Sequence, residues 1–252
     1  METSGPKVLL VTGASRGIGA ATARLAARRG WAVAVNYARN SLAADEVVRA
    51  IRAEGGTAIA AAADVGDEAQ VMAMYERIDA KLGPLGGLVN NAGVVDRTSR
   101  VDAMDVARLE RMLRINVVGS FVCAREAVRR MSTAHGGAGG SIVNLSSVAA
   151  RLGAPGQYVD YAASKGAIDT FTVGLAKEVA DEGIRVNAVR PGLIDTEIHA
   201  SGGLPRRAFD LAPTVPMKRV GRAEEIATAI VWLLSDEASY TTGTLLDVTG
   251  GR

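Results

Sequence analysis

The chain has 252 residues, enough for one α/β domain whose core needs no disulfide or metal. Its 29 basic and 27 acidic residues leave a net charge of +2, which argues against nucleic acid or an anionic membrane as partner. The one cysteine, Cys123, excludes an internal disulfide and suits a reducing cytoplasm, and no apolar run reaches the length of a signal-peptide core or a membrane span.

Short β-branched or alanine-rich runs alternate with amphipathic stretches along the whole chain. They predict strands near 7–12, 31–36, 57–62, 86–90, 140–146, 184–190 and 244–248. Helices are predicted near 17–29, 41–54, 67–82, 103–131, 157–181 and 222–235. Such alternation implies a doubly wound parallel sheet with helices on both faces. No linker, repeat or charge block divides residues 1–252, so a single domain is expected. Two segments break the rhythm. His135 to Gly140 reads as a flexible surface turn, because no Gly-Lys-Ser/Thr follows to make it a phosphate loop. Residues 193–218 form a long connection of the kind used for lids and binding loops. Its apolar residues Leu193, Ile194, Ile198, Leu204, Phe209, Leu211 and Met217 serve either lid packing or an apolar substrate wall.

Val8 to Val11 runs directly into Thr12-Gly13-Ala14-Ser15-Arg16-Gly17-Ile18-Gly19 and then an alanine-rich helix. Three glycines allow a tight turn and let backbone N–H groups approach a pyrophosphate at the helix N-terminus. Asp64-Val65 closes the third strand; the carboxylate either meets an adenine amino group or caps the next helix. Asn90-Asn91-Ala92-Gly93 closes the fourth strand, where small and amide residues suit a ligand crevice.

Tyr161 and Lys165 stand four apart, so on a helix they share a face one turn from each other. A phenol titrates near ~10, and a nearby cation favours its ionised form. Ser146-Ser147 ends the fifth strand and can reach the same sheet edge. A serine and a tyrosine hydroxyl can there donate to one carbonyl oxygen, stabilising a developing alkoxide and delivering a proton.

Thr12 to Gly19, Asn90 to Gly93, Asn116, Ser147, Tyr161 to Lys165 and Pro191-Gly192 together resemble the short-chain dehydrogenase/reductase family, over residues 7–251. The resemblance implies a Rossmann-type fold with strand order 3-2-1-4-5-6-7. It implies Tyr161 as acid/base, Ser147 polarising the carbonyl, and Lys165 binding the nicotinamide ribose while lowering the tyrosine pKa. Asn116 would help hold a water in a proton relay. Asn90, Ala92 and Gly93 would border the cofactor, and Pro191, Gly192, Ile194 and Thr196 its nicotinamide end. Ser147 is preferred over Ser146 by its place in the pattern. The Ser147–Tyr161 gap is one residue longer than in the family's ketoacyl reductases, which weakens any transfer of their substrate to this chain.

The second strand ends in Asn36-Tyr37-Ala38-Arg39 with no acid to accept the ribose 2′-OH of NAD. Arg16 and Arg39, with Asn36, suit a 2′-phosphate, so NADP(H) is expected over NAD(H). The substrate is expected to be a ketone or secondary alcohol, with an oxoacyl thioester, a sugar, a steroid-like ketone and a small ketone all open, and the assembly a homotetramer. The alternative from another class is a nucleotide-sensing regulator that keeps the fold without chemistry; it would not need all four catalytic groups. With only His135 and His199 and no cysteine pair, no metal site is expected. His199 reads as an exposed loop residue, and Cys123 as a small core residue.

Overall fold

The computed structural model describes residues 6–197, 202–204 and 206–252. His199 and Ile198 lie outside the described residues. Seven strands, β1 (Val8–Val11), β2 (Ala32–Tyr37), β3 (Ala58–Ala62), β4 (Leu85–Asn90), β5 (Gly140–Leu145), β6 (Ile184–Pro191) and β7 (Leu245–Val248), form one parallel sheet in the order β3-β2-β1-β4-β5-β6-β7. The helices are α1 (Gly17–Arg28), α2 (Ser41–Ala53), α3 (Glu68–Leu82), α4 (Val106–Leu113), α5 (Gly119–Met131), α6 (Ala149–Leu152), α7 (Val159–Glu178), α8 (Arg207–Asp210) and α9 (Ala223–Leu234).

The core has two halves because a central parallel strand is buried on both faces. Leu9 and Val11 of β1 point to one side, where Ala23, Val47 and Ile230 of α1, α2 and α9 pack on them. Val8 and Leu10 point to the other, onto Met74, Ile78, Ala127 and Ala176 of α3, α5 and α7. That alternation follows from the two-residue period of a strand. β2 and β3 extend from one side of β1, whereas β4 to β7 extend from the other. The chain therefore switches direction between β1 and β4, which opens a crevice at their carboxyl ends.

Four readings need correction. The helix expected over 103–131 begins at Val106, capped by Asp105, whose carboxylate accepts from the Arg108 N–H at 2.7 Å. It is also interrupted by a π turn, Arg114–Val118, between α4 and α5. The cap of α3 is Asp67 and not Asp64: Asp67 Oδ1 accepts from Gln70 N at 3.2 Å, while Asp64 Oδ1 accepts from Gly66 N at 2.9 Å. The glycine turn after α5 is tied down, with Gly137 N and Gly139 N donating to Ser132 O at 2.8 Å and Met131 O at 2.7 Å. Finally, α6 and α8 occupy segments read as loop; one-turn helices carry too little periodicity to show in a sequence.

Candidate active site

The glycine turn is built by Thr12, Asn36 and Asn91. Gly13 and Gly17 both have φ near the left-handed region, at +60° and +55°. A Cβ on Gly13 would lie 2.9 Å from the Ala92 Cα, so β1 and β4 meet there without room for a side chain. Thr12 Oγ1 accepts from Asn91 N and Ala92 N, each at 3.0 Å, and Asn91 Nδ2 donates to Thr12 O at 2.8 Å and Gly13 O at 3.0 Å. Helix α1 then starts with no side-chain cap and no acid in its first turn. An uncapped helix N-terminus behind a left-handed glycine turn fits a pyrophosphate. Ser15, Arg16, Gly17 and Thr196 line the groove beside it, and Gly19 packs on Asn91 with no space for a Cβ.

Asn36 plays a different part from the one expected. It is buried, its Oδ1 accepts from Gly13 N at 3.0 Å, and both Nδ2 protons go to Ala61 O and Ala63 O, each at 3.0 Å. Its amide nitrogen is thus spent on bracing the turn and has no proton left for a 2′-phosphate. Asn90 is likewise turned inward, donating to Ser120 O at 3.1 Å and Asn144 Oδ1 at 3.0 Å. The amide residue that lines the crevice is its neighbour Asn91, of the same Asn90-Asn91-Ala92-Gly93 run. Tyr37 is half-buried at the end of β2, Arg39 is exposed just beyond it, and Val65 is buried against Gly119.

A cavity of about 490 Å³ opens at this edge. It brings together Ile18, Gly93, Ser147, Tyr161, Lys165, Pro191, Gly192, Ile194 and Thr196 from five separate stretches of the chain. Tyr161 and Lys165 sit one turn apart on α7, with the ammonium 5.6 Å from the phenol ring centre. Ser147, just past the end of β5, lines the same cavity as Tyr161, and its Oγ accepts from Ala149 N at 3.1 Å. Ser146 is turned away, its Oγ donating to Lys165 O at 3.2 Å. Lys165 is buried, with Nζ donating to Leu145 O at 2.6 Å. A buried ion pair, Arg108 to Asp160 at 2.8 Å, fastens the start of α7 to α4 and so fixes where Tyr161 stands. Gly192 packs 2.8 Å, by its absent Cβ, from the Thr249 Cα, and Ile194 bridges Gly221, anchoring the start of the long connection.

Asn116 lies on the π turn, a distortion common at functional sites. Its Oδ1 accepts from Val94 N at 2.8 Å, and its Nδ2 faces Val94 O at 3.0 Å and Ser164 Oγ at 3.1 Å. Between Asn116 and Lys165 stands Gly93, where a Cβ would lie 3.4 Å from Asn116 Oδ1 and 3.7 Å from Lys165 Nζ.

Burial pushes the Tyr161 phenol above its ordinary value, against the lowering pull of the Ser147 hydroxyl and the Arg207 charge. The resemblance implied that Lys165 does the lowering. Here Lys165 directs its ammonium to a backbone carbonyl and is itself lowered to about 8 by burial, opposed by Asp169. Gln157, Tyr158, Arg207 and Arg252 also line the cavity and were missed, having no motif spacing to reveal them. Cys123 is buried and its thiol is pushed up to about 12 by burial, as befits a core residue. Among the described residues no three His, Cys, Asp or Glu side chains cluster to hold a metal, and no helix is long and apolar enough to cross a membrane.

The fold and cavity together define a Rossmann-type oxidoreductase. The family model described as enoyl-(acyl carrier protein) reductase matches residues 13–252. An uncharacterized oxidoreductase of Escherichia coli (strain K12), YgfF, is 57% identical, across 97% of this chain and 99% of its own. Cis-4-hydroxycyclohexanecarboxylate dehydrogenase of Sinomonas cyclohexanicum is 43% identical, across 99% of this chain and 98% of its own. A crystal structure of a short-chain type dehydrogenase/reductase from Mycobacterium marinum superposes with a TM-score of 0.91 at 35% identity, covering 98% of this chain and 95% of that one. The chain belongs to the short-chain dehydrogenase/reductase family, whose members use nicotinamide cofactors and act on hydroxyl and keto groups.

Proposed function

We propose that residues 1–252 act as one NADP(H)-preferring oxidoreductase domain that interconverts a ketone and a secondary alcohol. The observation that carries this reading is one cavity that brings Ser147 and Tyr161 together with the buried Lys165. When bound, the nicotinamide supplies or accepts the hydride. Tyr161 gives its phenolic proton to the carbonyl oxygen in reduction and takes it back in oxidation. Ser147 donates to the same oxygen and stabilises the developing alkoxide. Lys165 holds the ribose, and the side-chain-free gap at Gly93 leaves room for a relay water between Asn116 and Lys165. The relative named for a cyclic secondary alcohol supports the alcohol–ketone couple.

The NADP(H) preference rests on β2, which ends without an acid and with Arg39 exposed just beyond it, and on Arg16 in the glycine turn. The absence of a carboxylate removes the repulsion that rejects a 2′-phosphate. We further propose a cytoplasmic homotetramer. One interface would use α4, α5 and α7, the other α9 and β7. A panel of ketones assayed with NADPH and NADH tests the reading. Turnover that survives Tyr161→Phe would overturn the mechanism, and binding of the nucleotide without turnover of any ketone or alcohol would favour a regulator instead.

A further inference from the structure

We infer that the substrate is an oxo acid, or the matching hydroxy acid, whose carboxylate seats on Arg207 in the cavity that holds Tyr161. This rests on the oxidoreductase reading above and adds the substrate's charge. The cavity is lined by three cationic side chains, Lys165, Arg207 and Arg252, and none of its described lining residues has an acidic side chain. Arg207, at the first turn of α8, is half-buried. Its Nη2 donates to Gln157 Oε1 at 2.8 Å, and its guanidinium carbon lies 5.3 Å from the centre of the Tyr158 ring. Those contacts hold the planar group in place but use few of its five donors. Among the described residues it forms no ion pair.

The neighbouring acids are committed elsewhere. Asp160 pairs with Arg108 at 2.8 Å and Asp169 with Arg190 at 2.7 Å. Asp247 pairs with Arg151 and, at 3.6 Å, with Arg190. Asp210 lies 3.9 Å from Arg206, and Asp195 and Glu197 line the separate groove beside the glycine turn. Arg207 is therefore a partly desolvated cation. Burial holds it below its usual value, and the Arg252 charge adds to the effect. Two like charges about one cavity are costly until an anion enters. A carboxylate matches a guanidinium fork with paired, charge-assisted hydrogen bonds. The wall beside them, Val148, Leu152 and Leu211, is apolar and suits an aliphatic or alicyclic carbon skeleton.

The cofactor's own phosphates do not account for Arg207. Their place is the uncapped start of α1, in the groove lined by Ser15, Arg16 and Gly17, and Arg207 is absent from that lining. In the reducing direction hydride adds to the carbonyl carbon, the Tyr161 proton goes to its oxygen, and the oxo acid becomes a hydroxy acid. The carboxylate takes no part in the bond changes; it orients the ketone.

The test uses matched pairs: levulinate against methyl levulinate, and the cyclohexanone bearing a carboxylate opposite the carbonyl against its methyl ester. With NADPH and the wild-type enzyme, kcat/KM should favour each acid over its ester by about 10- to 100-fold, the strength of a charge-assisted contact. Arg207→Gln should bring that ratio to near unity, chiefly through KM of the acids, and Arg207→Lys should retain part of it. A second readout needs no turnover: in a Tyr161→Phe background with NADP+ bound, calorimetry should show the acids binding at least ten-fold more weakly after Arg207→Gln. If the Gln variant does not fold, the Lys variant carries both measurements. Equal rates for acid and ester in the wild type overturn the inference while leaving the oxidoreductase reading intact, as does an acid preference that survives Arg207→Gln. If no ketone of either charge is reduced, the oxidoreductase reading fails by itself; acid binding independent of Arg207 then overturns this inference too.

Discussion

Asn36→Leu should destabilise the protein far more than a strand-end polar residue normally would. The side chain is 1% exposed and makes three hydrogen bonds, one to Gly13 N and two to the carbonyls of Ala61 and Ala63. Leucine removes all three and leaves the partners buried. At about 1–3 kcal/mol per stranded group, with some relief from water, the loss is about 3–5 kcal/mol. For a chain of this size that is a fall in Tm of roughly 10 °C or more. Because the amide holds Gly13, affinity for the nucleotide should fall with it. Asn36→Asp refines the test. The new carboxyl still accepts from Gly13 N–H but sets an oxygen against two carbonyls, and only its protonated form can donate to one of them. Its folded-state pKa is raised, so the folded state binds the extra proton and stability drops as pH rises through that range. The deficit relative to wild type should therefore be larger at about pH 8 than at about pH 5. Thermal unfolding at both values, with and without nucleotide, measures it. A Tm loss for Asn36→Leu under roughly 2 °C would refute the bracing role, since that corresponds to less than about 1 kcal/mol.

Tyr161→Phe should lower kcat at least ~100-fold while the dissociation constant for NADPH, read by fluorescence titration, changes only a few-fold. Ala38→Asp or Arg39→Asp should move the kcat/KM ratio toward NADH; a wild-type ratio already favouring NADH would sink the NADP assignment and leave the catalytic group untouched. Burial brings Lys165 from 10.5 to about 8, so between those values the unfolded chain binds more protons than the folded one and wild-type stability rises with pH. The stability of Lys165→Met relative to wild type should accordingly decline across that window by on the order of 3 kcal/mol, and a flat difference in unfolding experiments would contradict the shift. Light scattering should show a tetramer. Phe121, 46% exposed on α5 and stacked on Phe171 of α7 at 3.7 Å, should sit in one interface, so Phe121→Asp should yield smaller species.

Much of this molecule is written locally. Val8 to Val11 reads as a central strand because a parallel strand is apolar on both faces, and the glycine turn follows it without a gap. The Tyr161–Lys165 pair is legible because helical geometry converts a spacing of four into a shared face. What the tertiary structure decided is where polar side chains point. Three asparagines close strands at the crevice, yet Asn36 and Asn90 turn inward to satisfy buried backbone and side-chain groups, and Asn91 alone of the three lines the cavity. The choice depends on which carbonyls the neighbouring strands leave unpaired, a non-local quantity. Asp64 could have capped the next helix by residue type; the actual path of the chain into α3 gives that role to Asp67. Tyr161 was expected to be tuned by the lysine one turn away. Its phenol is pushed up by burial and drawn down by Ser147 and by the Arg207 guanidinium on α8, groups that only the tertiary structure brings together. Arg207 and Arg252 lie far from any motif, and only folding brings them to one cavity, because Coulomb forces depend on distance in space while a motif records distance along the chain.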